Sequence, residues 1–232
     1  MERRDFLRLC AASAASGAAP ALAAPDATPH FYARVRLLDE HGAPLRADAI
    51  PVQRNLIFHY PYATTPCFLL NLGRPVKRAL RLRTADRRAY EWQGGVGPER
   101  SVVAYSAICA HRLSYPTRDI SFISYRREKS ARNPRGDVIH CCSEHSQYDP
   151  AEGARVVAGP APQPLAAILL EHDAGRNELF AVGTLGGEMF NQFFSKFEFR
   201  LALENSGAAR RAVADSTTVM PLENYCRQQV QC

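Results

Sequence analysis

The sequence predicts an all-β protein, and three observations lead there. Short runs of four to nine apolar or alternating residues recur along most of the chain. Gly, Pro, Asn and Asp break these runs at short intervals, as strand-and-turn proteins require. Helical spacing of apolar residues, by contrast, is confined after the N-terminus to one stretch near residue 190.

The elements follow in order. Residues 25–30 read as a short linker. From Phe31 the chain alternates through Tyr32-Ala33-Arg34-Val35-Arg36-Leu37-Leu38 and turns at His41-Gly42. Asn55–Tyr60 and Cys67–Leu72 read as further strands, and Val76–Leu82 alternates again. Gly94-Gly95-Val96-Gly97-Pro98 is a turn cluster before the β-branched run Ser101–Ile108. Asp137-Val138-Ile139-His140 is a short apolar run, and Leu165–Glu171 and Glu178–Val182 are split by a turn at Asp173-Ala174-Gly175. Phe190, Phe193, Phe194 and Phe197 recur at three and four residues, which predicts a short amphipathic helix with its aromatic face in the core, then a strand over 198–203. The tail from Ser206 is polar and is expected to wrap or dangle as far as Cys226–Cys232.

Composition bounds the function. Apolar residues make up 46% and charged residues 22%, ordinary for a chain that buries a proper core. The net charge is +6, with part of the excess in the segment Tyr125–Gly136. No stacking aromatics interleave with the basic residues, which argues against a nucleic-acid partner. The charged segment is expected to be an exposed basic flap, a solvated insertion or a docking surface for an acidic partner.

Two short pairs carry the chemistry. Cys109-Ala110-His111 is the first, and Cys142-Ser143-Glu144-His145 is the second. Ser146-Gln147-Tyr148-Asp149 and then Gly159-Pro160-Ala161-Pro162 follow. Each pair offers one sulfur and one imidazole. Four such ligands suit tetrahedral zinc, giving a zinc-stabilised binding domain, or an iron–sulfur cluster.

The ordered combination of both pairs, Ser-x-Tyr-Asp and Gly-Pro-Ala-Pro resembles the Rieske family of iron–sulfur proteins. The resemblance implies antiparallel stacked β sheets with a small cluster-binding subdomain, here about 105–165 within a domain spanning 76–205. An N-terminal β segment at 25–75 and a tail at 206–232 complete the expected organisation. It implies one [2Fe–2S] cluster per chain, with Cys109 and Cys142 on one iron and His111 and His145 on the other. Imidazoles in place of thiolates raise the potential of such a centre. Ser146 and Tyr148 would donate hydrogen bonds to sulfur, and Gly159 and Pro160 would begin a stiff cover. A positive potential in the upper part of the roughly −150 to +300 mV range of such centres is expected.

The chain also departs from that family. Two cysteines that usually join the loops are replaced at the matching positions by Ser114 and Glu144. A Ser114–Glu144 hydrogen bond or an Arg112–Glu144 ion pair is expected instead. Arg112 stands where quinol-oxidising members carry leucine, which favours a polar protein partner. The family's second loop reads His-Gly-Ser-x-Tyr-Asp, so counting from His145 leaves this loop one residue short. Thirty residues lie between His111 and Cys142, about twice the usual gap.

Met1-Glu2-Arg3-Arg4-Asp5-Phe6-Leu7 resembles a twin-arginine signal, with Ala21-Leu22-Ala23 as a cleavage site. The small-residue run Leu9–Ala24 is broken by Pro20 and is shorter than the ~20 apolar residues of a spanning helix. Residues 1–24 are thus expected to direct export to the periplasm, with inner-membrane anchoring only if they are retained. Cys67, Cys141, Cys226 and Cys232 remain after the ligands and Cys10, enough for two disulfides in three connectivities. Together these features predict a periplasmic one-electron carrier, a subunit or partner of an oxidoreductase and not a stand-alone enzyme. Its partner would be a cytochrome c, a molybdenum oxidase or a cytochrome bc-type complex. A ubiquinol–cytochrome c reductase-type subunit with a retained anchor is the alternative. The lack of a close pair of iron-ligand histidines and of room for a second catalytic domain argues against a Rieske oxygenase.

Overall fold

A computed structural model describes residues 27–76 and 79–232. The signal-peptide reading of residues 1–24 lies outside them. The main sheet uses β1 (His30–Leu38), β2 (Leu56–His59), β3 (Pro66–Asn71), β6 (Val102–Ser106), β12 (Ala167–Asp173), β13 (Glu178–Leu185), β14 (Ser216–Thr218) and β15 (Met220–Pro221). Its order is β14-β1-β13-β12-β6-β3-β2-β15. A four-stranded sheet runs β11-β10-β9-β8, from Arg155–Ala158, Ser146–Asp149, Val138–Cys141 and Ile123–Arg126. The pair β4 (Leu80–Arg83) and β5 (Ala89–Trp92), and the pair β7 (Ile120–Ser121) and β16 (Gln228–Gln229), complete the strands. The fold is all-β, as expected, with helices α1 (Phe190–Glu204) and α2 (Leu222–Tyr225).

Alternation explains why the central strands read as unbroken apolar runs. In β3, Phe68 and Leu70 face one core, while Cys67 and Leu69 face another. In β6, Val103 and Tyr105 join the first core, and Val102 and Ala104 the second. Strand residues point to opposite faces in turn, so a strand covered on both faces has no polar positions to spare. The first core lies between the main and the four-stranded sheet. From the latter it receives Ile123, Tyr125, Ile139, Cys141 and Tyr148.

Two expectations at the C-terminal end change. The strand expected over 198–203 is helix: α1 continues to Glu204, because Phe193, Phe194, Phe197 and Leu201 keep helical spacing on one packed face. An Arg200–Glu204 pair one turn apart at 2.6 Å supports its last turns. The aromatic face is core, as expected, covering Ile108, Leu113 and Tyr115. The tail wraps: β14 adds in parallel to β1, β15 pairs with β2, β16 pairs with β7, and Cys232 is bonded to Cys142. Among the described residues no helix is long and apolar enough to cross a membrane.

Candidate metal centre

Strand β6 runs into the first loop, and β9 and β10 flank the second. Leu113 closes the first loop with a left-handed backbone, φ +64°, and donates to Cys109 O at 3.0 Å. The Cys109 N–H bonds Ser114 O at 2.8 Å, so residues 109–114 form a tight turn with Cys109 at its base. Helix α1 holds that turn from outside. Tyr115 packs edge-on to Phe193 at 4.8 Å between ring centres, and Lys196 donates to Arg112 O at 2.7 Å.

The second loop overturns one expectation. Cys142, expected as a ligand, is disulfide-bonded to Cys232, so its sulfur is not a free thiol. Cys141 takes its place. It ends β9 on the core-facing side, below Ile139, and its thiol hydrogen-bonds that of Cys109. Cys142, one residue on, faces away by strand parity. None of the three connectivities expected for the remaining cysteines occurs, and Cys67, Cys109, Cys141 and Cys226 are free and buried.

Each thiol sits in a cradle of backbone donors. Cys109 Sγ receives the N–H groups of His111 and Arg112, and Cys141 Sγ those of Ser143 and Glu144. Tyr148, fully buried, places its hydroxyl 3.2 Å from Cys109 Sγ and accepts the Ala110 N–H at 3.2 Å. The Cys141 thiol, and after it the Tyr148 hydroxyl and the two N–H groups, pull the Cys109 thiol down to about 6 against the opposing cost of burial. Cys141 moves the other way, because it donates to Cys109 and is itself buried. Burial and the neighbouring Cys109 push the Tyr148 hydroxyl up, which keeps it a donor.

Two further polar atoms point to a missing partner. His111 Nδ1 and Ser146 Oγ are buried and make no hydrogen bond. Buried polar groups are nearly always paired, so orphans clustered beside two thiols mark a site for a bound group. Ser146 lies directly opposite Cys141 in the β9–β10 pair.

His145, also expected as a ligand, lies elsewhere. Its ring groups with His140 and Cys232, where one ligand atom of each falls within 4.8 Å of the others. Its backbone is left-handed, φ +58°, the conformation that glycine adopts at least cost. Counting from Cys141 rather than Cys142 explains this. Cys141-Cys142-Ser143-Glu144-His145-Ser146-Gln147-Tyr148-Asp149 has the full length of the resembled loop, with Glu144 at the histidine position and His145 at the glycine position. No residue is deleted, and Ser146 and Tyr148 keep their places.

The Gly159 segment and a cross-loop ion pair both touch the second loop. A side chain added at Gly159, φ +85°, would come within 2.5 Å of His145 O, so the segment starting Gly159-Pro160 lies directly on the loop backbone. Arg112 Nη1 approaches Glu144 Oε1 at 3.4 Å, the ion pair expected between the loops. The basic segment is less free than expected. Arg126 donates to Val230 O and Gln231, Arg132 meets His145 Nε2 at 2.6 Å, and Arg135 pairs with Asp149 at 3.0 Å. Arg127, Glu128 and Lys129 stay exposed.

No family model matches the chain. Among solved structures it is similar to the soluble domain of the Rieske protein II (soxF) from Sulfolobus acidocaldarius, with a TM-score of 0.45 and 23% identity over 68% of this chain and 82% of that one. The functional reading therefore rests on the chain's own residues.

Proposed function

We propose that the chain is a one-electron carrier that holds a [2Fe–2S] cluster between the 109–114 turn and the 141–148 loop. The observation that carries this reading is the meeting of the Cys109 and Cys141 thiols from two separate loops, each cradled by two backbone N–H groups. The donor set fits the group. Cys109 and Cys141 would hold one iron, and His111 Nδ1 the second, with Glu144 as the fourth donor. A cluster held there takes up and releases one electron at a time.

The surrounding residues then have defined tasks. Tyr148 and the loop N–H groups stabilise negative charge on Cys109 sulfur, which favours the reduced state. The cores around Cys109 and Cys141 exclude water. His111, Arg112 and Glu144 form the partly exposed edge nearest the site, and its charge suits a polar redox partner such as a cytochrome c or a molybdenum oxidase. A carboxylate brings more negative charge than an imidazole, so the potential lies below that of a two-histidine centre. Residues 1–24 would serve as a twin-arginine leader that takes the folded chain to the periplasm.

Metal and sulfide analysis of anaerobically purified protein tests the reading. Two irons and two acid-labile sulfides per chain, with a reduced-state paramagnetic signal, are expected. A colourless protein, with zinc or with no metal, would overturn it.

A further inference from the structure

On the opposite side of β9 from the thiol pair lies a second cluster of soft donors that the cluster reading does not use. His140 is fully buried. Both of its ring nitrogens are 3.6 Å from Cys232 Sγ. Two ligands on one tetrahedral zinc, with bonds of about 2.0 and 2.3 Å, sit roughly 3.5 Å apart. The His140–Cys232 spacing is thus within reach of one ion, and because the sulfur lies equally far from both nitrogens, a turn of the imidazole would aim one of them at that ion. The His145 ring centre is 5.8 Å from that of His140, and its Nδ1 is buried without a partner. Cys142 is the fourth donor at this place, bonded to Cys232. A cleft of about 360 Å³, lined by Tyr125, Ser130, Asn133 and Gln231 among others, opens onto His140 and Cys232 and gives an ion a way in.

We propose that Cys142, Cys232, His140 and His145 form a zinc site gated by their disulfide. A dithiol delivers two electrons and two protons to the Cys142–Cys232 bond. The sulfur–sulfur bond breaks, two thiols form, and the dithiol leaves as its own disulfide. Zn²⁺ then displaces both thiol protons to solvent and is held by two thiolates and two imidazoles, a closed set of the structural kind. Exchange with a small-molecule disulfide runs the step in reverse: that disulfide takes the two electrons and two protons and leaves as its dithiol, the Cys142–Cys232 bond re-forms, and the ion is expelled. Arg132, now on His145 Nε2, must turn aside for binding. The site shares no ligand with the cluster and does not depend on it.

The test uses the full chain as purified, with zinc alone as the probe. A phosphine reductant frees the two thiols without chelating metal, and thiol counting verifies their release. One added zinc per chain is expected after reduction and none before. Zinc should then slow alkylation of Cys142 and Cys232 at least tenfold, read residue by residue by mass spectrometry. Cys232→Ala should abolish the uptake, and Arg132→Ala should tighten it severalfold. Equal alkylation with and without zinc would overturn the proposal. So would uptake that persists in Cys232→Ala, or protection that falls on Cys109 and Cys141 instead.

Discussion

Cys141 and Cys142 are neighbours in sequence and opposites in environment. Cys141 faces the core between the sheets, free, against Cys109 and beneath Ser146. Cys142 faces the other way, oxidised, beside His140, His145 and the chain's last residue. One step along a strand end thus separates a thiol set suited to holding iron from a disulfide that ties down the C-terminus. Strand parity, rather than the residue types themselves, gives each cysteine its surroundings.

Cutting the disulfide side gives the largest expected effect. The Cys142–Cys232 bond spans 90 residues, and closing a loop of that size restricts the unfolded chain strongly. Cys232→Ser should cost about 2–4 kcal/mol, read from denaturant unfolding. It should leave iron content unchanged, and loss of iron in step with stability would show that the two faces are not separate. On the other face, Glu144→His should raise the potential, by on the order of 100 mV, as an imidazole replaces a carboxylate beside iron. A redox titration that finds no shift would remove Glu144 from the donor set. Tyr148→Phe deletes the hydroxyl 3.2 Å from Cys109 Sγ. A hydrogen bond to a charged sulfur of about 1.4 kcal/mol corresponds to roughly 60 mV for one electron, so the potential should fall by that order.

Much of the fold was legible. The runs from Phe31 to Leu38, at Cys67–Leu72 and at Ser101–Ile108 became strands because alternation or unbroken apolarity reflects burial on one face or two. The far end of α1 was misread, since Glu198–Leu203 alternates locally, and only packing of Leu201 on the Tyr115 side shows that the helix continues. Of the site, Cys109, Ser146, Tyr148 and Gly159 were expected from the resemblance carried by the motif order, and the structure sets Tyr148 on Cys109, lays Gly159 against the loop backbone and leaves His111 with a free buried nitrogen. The second cysteine was not, because Cys142–His145 satisfies a Cys-x-x-His spacing as well as Cys141 satisfies Cys-x-x-Glu. The cue was present in Ser146 and Tyr148, whose distance from Cys141 restores the full loop length. The Cys142–Cys232 bond had no local signal, as its partners lie 90 residues apart.

Iron and acid-labile sulfide in Cys141→Ser and Cys142→Ser, prepared side by side, decide which of the two neighbouring cysteines holds iron. Cys141→Ser should hold almost no cluster, while Cys142→Ser should keep two irons and two sulfides per chain and lose only the bond to Cys232. The reverse pattern, with the cluster lost from Cys142→Ser and kept in Cys141→Ser, would contradict it.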